Sequence, residues 1–231
     1  NVIYYTSNSD VSIYHDGSKK FETSSSGVTI TGTLAATAVT GDGSGLTGVG
    51  VTVAEGGDAS YSYTSGGKNY MVHVFRSTTS GVFRTNKDMS IDFLLVGGGG
   101  GSATAEGSYG QSGAGGGGGI VEGSGFSLSA GSYVVTVGAG GVASNSTTVG
   151  GNGGDTTFAG VTAKGGGGGG DYASAGADGG CGGGGANPNA AGGATIQSSQ
   201  NSGISNITQY GFAGGQGGAY NSDPRGGGGG G

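Results

Sequence analysis

Tyrosine set among small polar residues is the chemistry this chain offers most plainly. Tyr109, Tyr172, Tyr210 and Tyr220 each sit in a polar insert, and Gln111, Asn145, Asn187, Gln197, Asp223 and Arg225 belong to the same set of inserts. A tyrosine ring supplies contact area at low entropic cost, and small polar side chains adapt their hydrogen bonds around it, as in recognition loops. Ordinary solvated turns, each capped by one tyrosine, account for the same residues, so both readings stand. Catalytic chemistry is poorly supplied. His15 precedes the turn residues Asp16-Gly17, His73 lies mid-strand, and the carboxylates are too dispersed for a glycosidase pair. Gly150-Gly151-Asn152-Gly153-Gly154-Asp155 matches the calcium nonapeptide in a single copy without its large apolar residue, which makes Asp155 a calcium candidate. The alternative is that Asp155 ends a glycine tract and bonds nearby backbone amides. No glycine run is followed by Lys-Ser/Thr as a phosphate loop requires, and Cys181 reads as a small residue inside a tract. We therefore expect no enzyme activity and no cofactor.

The balance of 8 Lys and Arg against 14 Asp and Glu, a net charge of −6, argues against nucleic acid or anionic membrane as partner. No apolar run approaches membrane-spanning length, so no membrane insertion is expected. A chain that starts at Asn1 and stops on Gly226 to Gly231 reads as a fragment or a processed product.

The elements that must position these inserts are unusual. Of 231 residues 64 are glycine, concentrated after residue 96, and only 32% are hydrophobic, so a conventional apolar core is thin. Phe93-Leu94-Leu95-Val96 runs straight into Gly97 to Gly101; Gly115 to Gly119 leads into Ile120-Val121; Ala163-Lys164 leads into Gly165 to Gly170. A long glycine tract makes neither a stable helix nor a good strand. The ordered state open to it is the threefold polyglycine II helix, with about 3 residues per turn and 3.1 Å rise, whose backbone groups bond laterally to neighbours. A flexible linker is the competing reading, and the regular strand-like segments between the tracts, such as Tyr133 to Val137, argue against it.

Ahead of the tracts the sequence reads as β-structure. Val2 to Tyr5, Val11 to Tyr14, Lys20 to Thr23 and Val28 to Thr31 are short strands that cannot bury a core by themselves. Tyr61 to Tyr63, Tyr70 to Phe75, Gly81 to Phe83 and Ile91 to Val96 follow, with Gly66-Gly67 as a hairpin turn. The expected fold class is all-β with polyglycine II helices. Residues 1–50 form a β-stranded stalk and oligomerisation segment, 51–96 a strand-rich base, and 97–231 a packed glycine-rich helical bundle with distal loops. Strands are expected at 120–122, 133–137 and 156–158, with a turn near Ser124 to Gly131 and a return at Gly160. Inserts 102–112, 142–149 and 171–178 then share the distal end, joined by 186–210 and 219–225.

Ile13 to Leu34, followed by Gly41 to Gly48, resembles the stalk repeats of tail fibres and related virion proteins of marine and cyanobacterial phages. From about residue 61 onward the phrases at 63–75, 91–101, 127–141 and 150–170 resemble the glycine-rich domain that ends many phage tail fibres. Such a domain usually closes with another apolar strand, and none is read in this sequence. The resemblance implies the distal, receptor-binding part of a tail fibre, a virion protein that attaches to a host cell-surface protein or glycan and assembles as a homotrimer. The alternative is a subunit of a self-assembling extracellular filament held by N-terminal strand complementation. Ice binding is a third use of packed polyglycine helices, and the tyrosine-bearing inserts argue against it.

Overall fold

The computed structural model describes residues 2–5, 11–35, 54–104, 111–145, 148–172, 174–187 and 189–218. The chain is all-β, with several antiparallel sheets, and divides into two compact units, Asn1–Gly50 and Val51–Gly231.

In the first unit β1 (Val2–Tyr5), β2 (Val11–His15), β3 (Ser18–Ser24) and β4 (Gly27–Ile30) form an antiparallel meander in chain order. Asp16 and Gly17 both adopt positive φ, +49° and +72°, the two-residue turn whose twist matches flanking strands. The register aligns Ile3, Ile13, Phe21 and Ile30 in one row across the sheet. An irregularity after Ile13 sets Lys19 opposite Tyr14. Lys19 and Glu22 make an ion pair. Among the described side chains of this unit Ser12 is buried and no hydrophobic residue is.

The second unit holds β5 (Ala54–Glu55), β6 (Ala59–Ser65), β7 (Lys68–Val74), β8 (Gly81–Thr85) and β9 (Met89–Val96). Beyond the first glycine tract come β10 (Ile120–Leu128), β11 (Gly131–Thr136), β12 (Thr156–Phe158), β13 (Val161–Ala163) and β14 (Ile207–Tyr210). They assemble as β14-β10-β9, as β13-β12-β11-β8-β5, and as a separate β6-β7 hairpin. Strands from before and after residue 96 pair with each other, so 51–96 and 97–231 are one compact unit rather than two. Phe83, Leu95, Val121, Leu128, Val135, Phe158 and Val161 form the core, contributed by both larger sheets. Phe158 stands edge-on to Phe83, Phe93 and Tyr133, the arrangement the ring quadrupole favours.

Two expectations are corrected here. The strand expected over 120–122 is longer, and the turn expected near Ser124 to Gly131 correspondingly narrower: β10 continues through a bulge to Leu128, with Gly125 at φ +62° and its N–H held by Asp92 Oδ1 at 2.8 Å. The chain reverses at Ser129-Ala130, where Asp88 Oδ1 accepts from Ala130 N–H at 2.8 Å. A strand that the sequence reading did not expect is present. It is β14, inside the stretch expected to be a distal insert, and it pairs with β10 while Ile204 and Ile207 pack against the core.

The glycine tracts leave the sheets at one end. Val96 pairs with Ile120, Ile120 with Tyr210, and Thr156 with Ala163, so the tract roots lie at matching strand ends. Thr156 Oγ1 ties the two sheets there by donating to Val96 O at 2.7 Å. Backbone bonds between tracts repeat every third residue. Gly97, Gly100 and Ala103 donate to Gly119, Gly116 and Gly113, while Gly98 and Gly101 donate to Gly154 and Gly151. Carbonyls of Gly98 and Gly101 accept from Gly166 and Gly169, and those of Gly99 and Ser102 from Gly141 and Ser144. One segment thus bonds four neighbours through backbone groups alone.

Candidate functional site

At the sheet end of the tracts, side-chain amides close an open strand edge. β13 is the last strand of its sheet. Asn201 does what a neighbouring strand would do: its Oδ1 accepts from Thr162 N–H and its Nδ2 donates to Thr162 O, both at 2.8 Å. Gln197, wholly buried, accepts from Lys164 N–H at 2.7 Å and donates to Thr162 O at 3.1 Å. Both amides also donate to Gln209 Oε1 on β14, at 2.9 and 2.7 Å. The three residues join the edges of the two sheets beneath the tracts. Asp155 works beside them. It pairs with Lys164 Nζ at 2.6 Å and accepts from Gly165 N–H at 2.9 Å, holding the end of one tract to the start of another.

At the opposite end the tracts turn back on one another. Ala103 N–H donates to Gly113 O, Gly113 N–H to Gly170 O, Gly170 N–H to Gly184 O, and Ser144 N–H to Ser102 O. These bonds join four pairs of segments close to where they turn back. Thr104, Asn145, Tyr172 and Asn187 therefore share the face beyond them. Thr104 Oγ1 donates to Ser144 O and Asn187 Nδ2 to Tyr172 O, so neighbouring turns are stitched together. Asn187 Oδ1 accepts from Asn189 N–H at 2.9 Å, closing its own turn. Tyr172 is 55% exposed, an aromatic side chain on a backbone that is bonded below it.

The residues expected to contact a receptor divide accordingly. Asn145, Tyr172 and Asn187 lie on the turn face. Tyr109, Tyr220, Asp223 and Arg225 lie outside the described residues. Gln111 is not a contact: it is 3% exposed, because the returning segment is already packed at Gly113. Gln197 is not one either, since it is the buried amide described above. Tyr210 belongs to β14 at the sheet end, where it forms a cross-strand row with Ile120 and Val96 and donates to Glu122 Oε2 at 3.3 Å. The Glu122 charge, then desolvation, holds the Tyr210 phenol above its ordinary value. The insert expected over 186–210 is a turn at 187–189, a return through Gly193, the 3₁₀ turn Gln197–Ser199 and then β14. Ala190, Ala191 and Ala194 carry the tract onward, their carbonyls accepting from Gly217, Gly176 and Gly179.

Sequence reasoning missed the polar residues that cross-link tracts. Asn152 Oδ1 accepts from Gly168 N–H at 2.8 Å and Asp178 Oδ1 from Ala194 N–H at 2.6 Å. A lone Asn or Asp inside a tract was the available signal. Elsewhere Asp58 accepts from Arg76 and Ser77 N–H, at 2.5 and 2.7 Å, where the β6-β7 hairpin meets the sheets. Those two backbone bonds hold its carboxyl below the usual range. His73 is packed, its Nδ1 at 2.8 Å from Gly56 O and its ring edge-on to Phe83. Among the described residues no three His, Cys, Asp or Glu are grouped to hold a metal ion.

Comparison with curated proteins and with solved structures returns no match. The model of a family described as a glycine-rich domain matches residues 77–231, from just after the β6-β7 hairpin to the end. That span covers more than half of the chain and contains both larger sheets' tract-bearing strands. The chain belongs to this glycine-rich domain family.

Proposed function

We propose that this chain is the distal, receptor-binding part of a phage tail fibre, and that its glycine tracts are polyglycine II helices standing on a β base. The threefold recurrence of lateral backbone bonds supports the helix reading, because a helix of about 3 residues per turn returns the same face to the same neighbour at every third residue. The observation that carries the functional reading is the turn face. Asn145, Tyr172 and Asn187 share it with the ends of the other inserts, above a block whose bonds fix their spacing. The mechanism is adsorption without catalysis or cofactor: weak contacts between the turns and a host cell-surface protein or glycan, multiplied by copies of the fibre. The protein works outside the cell as part of the virion. Its copies assemble as a homo-oligomer, a homotrimer in the fibre reading. The residues at the distal turns decide the host. Exchanging residues 105–110, 171–175 and 187–189 for those of a second fibre with this domain transfers that fibre's host range, and an unchanged host range overturns the assignment.

A second reading is favoured by the first unit. Among the described residues no further strand pairs with the outer strands β1 and β4, which suits strand addition in an extracellular filament. Electron microscopy of the purified protein separates the two, with discrete short particles expected for a fibre tip and indefinite polymers for a filament.

A further inference from the structure

Of the asparagines in this sequence, Asn152 alone is followed by glycine. That step is chemically labile. The Gly153 backbone nitrogen can attack the side-chain carbonyl carbon of Asn152: an N–C bond forms, ammonia leaves with the proton that the nitrogen gives up, and a cyclic imide results. Water then opens the ring at either carbonyl. One product is aspartate; the other is isoaspartate, in which the main chain runs through the former side chain. Glycine favours the closure because it has no Cβ in the way and rotates freely. Asparagine is accordingly among the thermolabile residues.

In the folded bundle both reacting groups are occupied. Gly153 N–H, which must give up its proton, donates to Gly166 O at 2.9 Å. The Asn152 carboxamide is held through its Oδ1 by Gly168 N–H at 2.8 Å. The residues around them are fixed too, since Gly150, Gly151 and Gly154 donate to Gly169, Val142 and Ala139. Ring closure needs this segment to rotate, and a Cβ on Gly153 would lie 2.0 Å from Gly98 O, so there is little space to rotate into. Asn152 itself is exposed, within reach of the water that the second step consumes. We propose that Asn152 is a site of spontaneous deamidation that the closed bundle holds off and that opening of the tracts switches on, so that isoaspartate formed during an opening bars the bundle from repacking. The two products differ in this respect. Aspartate keeps an oxygen for Gly168 N–H and adds no main-chain atom. Isoaspartate inserts one carbon, about 1.5 Å of chain, ahead of Gly153, while Gly150 and Gly151 stay where Gly169 and Val142 hold them. Gly153 and Gly154 then miss Gly166 and Ala139. The reaction needs water and no enzyme, and it depends on the lateral bonds rather than on the adhesive reading.

Ageing the full chain, folded and in denaturant, at one mildly alkaline pH and one temperature tests this, with peptide mass spectrometry and chromatographic separation of the aspartyl isomers. In denaturant Asn152 converts ahead of every other asparagine. In the folded chain it converts at least about tenfold more slowly, because the rate follows the fraction of time that the segment is open. Equal rates in the two states overturn the inference. Chains aged in denaturant are then refolded beside fresh ones and read by amide exchange. Those with isoaspartate at position 152 lose protection at Gly153 and Gly154 and keep it in β9 and β10. Full protection of Gly153 and Gly154 in those chains overturns the inference as well. The variant Asn152→Asp, whose main chain is ordinary, keeps the protection and so separates the extra carbon from the added charge. A loss in this variant as large as in the isoaspartyl chains counts against the barrier to repacking.

Discussion

Gln197 carries more of the structure than a glutamine in a polar stretch suggests. Its amide satisfies Lys164 N–H, Thr162 O and Gln209 Oε1 where no strand is available to do so. Gly119 and Gly211 are glycines partly on its account, since a Cβ at Gly119 would stand 2.2 Å from Gln197 Oε1 and one at Gly211 2.9 Å from Gln197 Cβ. Replacing Gln197 by Leu keeps most of the volume and removes every bond of the amide; Lys164 N–H loses its partner, while Thr162 O and Gln209 Oε1 keep Asn201 Nδ2. We expect a loss of about 1–3 kcal/mol, read by chemical denaturation, the cost of one orphaned buried group. A loss below about 0.5 kcal/mol would mean that the amide cluster is incidental. The same substitution at a solvated recognition residue would leave stability untouched, so the measurement also separates the two roles this residue was given.

At the scale of elements, the tract glycines are required for space rather than for dihedral freedom. The glycines with positive φ are in turns and bulges, such as Gly17, Gly66, Gly67 and Gly125, and none is among Gly97 to Gly101. A Cβ on Gly100 would lie 2.1 Å from Gly167 O, against backbone that is itself bonded. A Cβ on Gly99 would find its nearest neighbour, Gly116 O, at 3.8 Å. Adjacent residues of one tract therefore predict opposite outcomes. Gly100→Ala destabilises by about 2–3 kcal/mol through overpacking, and Gly99→Ala is neutral or stabilising by up to about 1 kcal/mol through the unfolded chain. Thermal denaturation of the pair decides it, and equal effects would contradict lateral packing at backbone distance. This is also where the sequence was most and least legible. Runs such as Phe93 to Val96 and Tyr133 to Val137 announce strands because β-branched and aromatic residues are dense there, and Asp16-Gly17 and Gly66-Gly67 announce turns by their positive φ. β14 was hidden because Ile207-Thr208-Gln209-Tyr210 has one aliphatic side chain, and its pairing and its amide contacts are both tertiary. For the candidate site, Tyr172 was legible as an exposed turn residue, whereas nothing local distinguishes Gln111 or Gln197 from it. Their burial comes from segments remote in sequence.

At the scale of the molecule, one end of the second unit is an apolar core between two sheets and the other is a face of turns, with bonded tracts between them. An adhesive protein needs its contact residues held at fixed spacing so that binding does not have to order them first. In the proposed reading the tracts provide that stiffness through backbone alone, and copies of the fibre multiply the contacts. Every step depends on the tracts being a solid and not a set of tethers. Residue-resolved amide hydrogen exchange measures this directly. The account predicts that Gly100, Gly116, Gly151, Gly167 and Gly170, each a donor in a lateral bond, exchange as slowly as the amides of β9 and β10. Exchange of those glycines at the rate of an unstructured peptide, with β9 and β10 still protected, would contradict it.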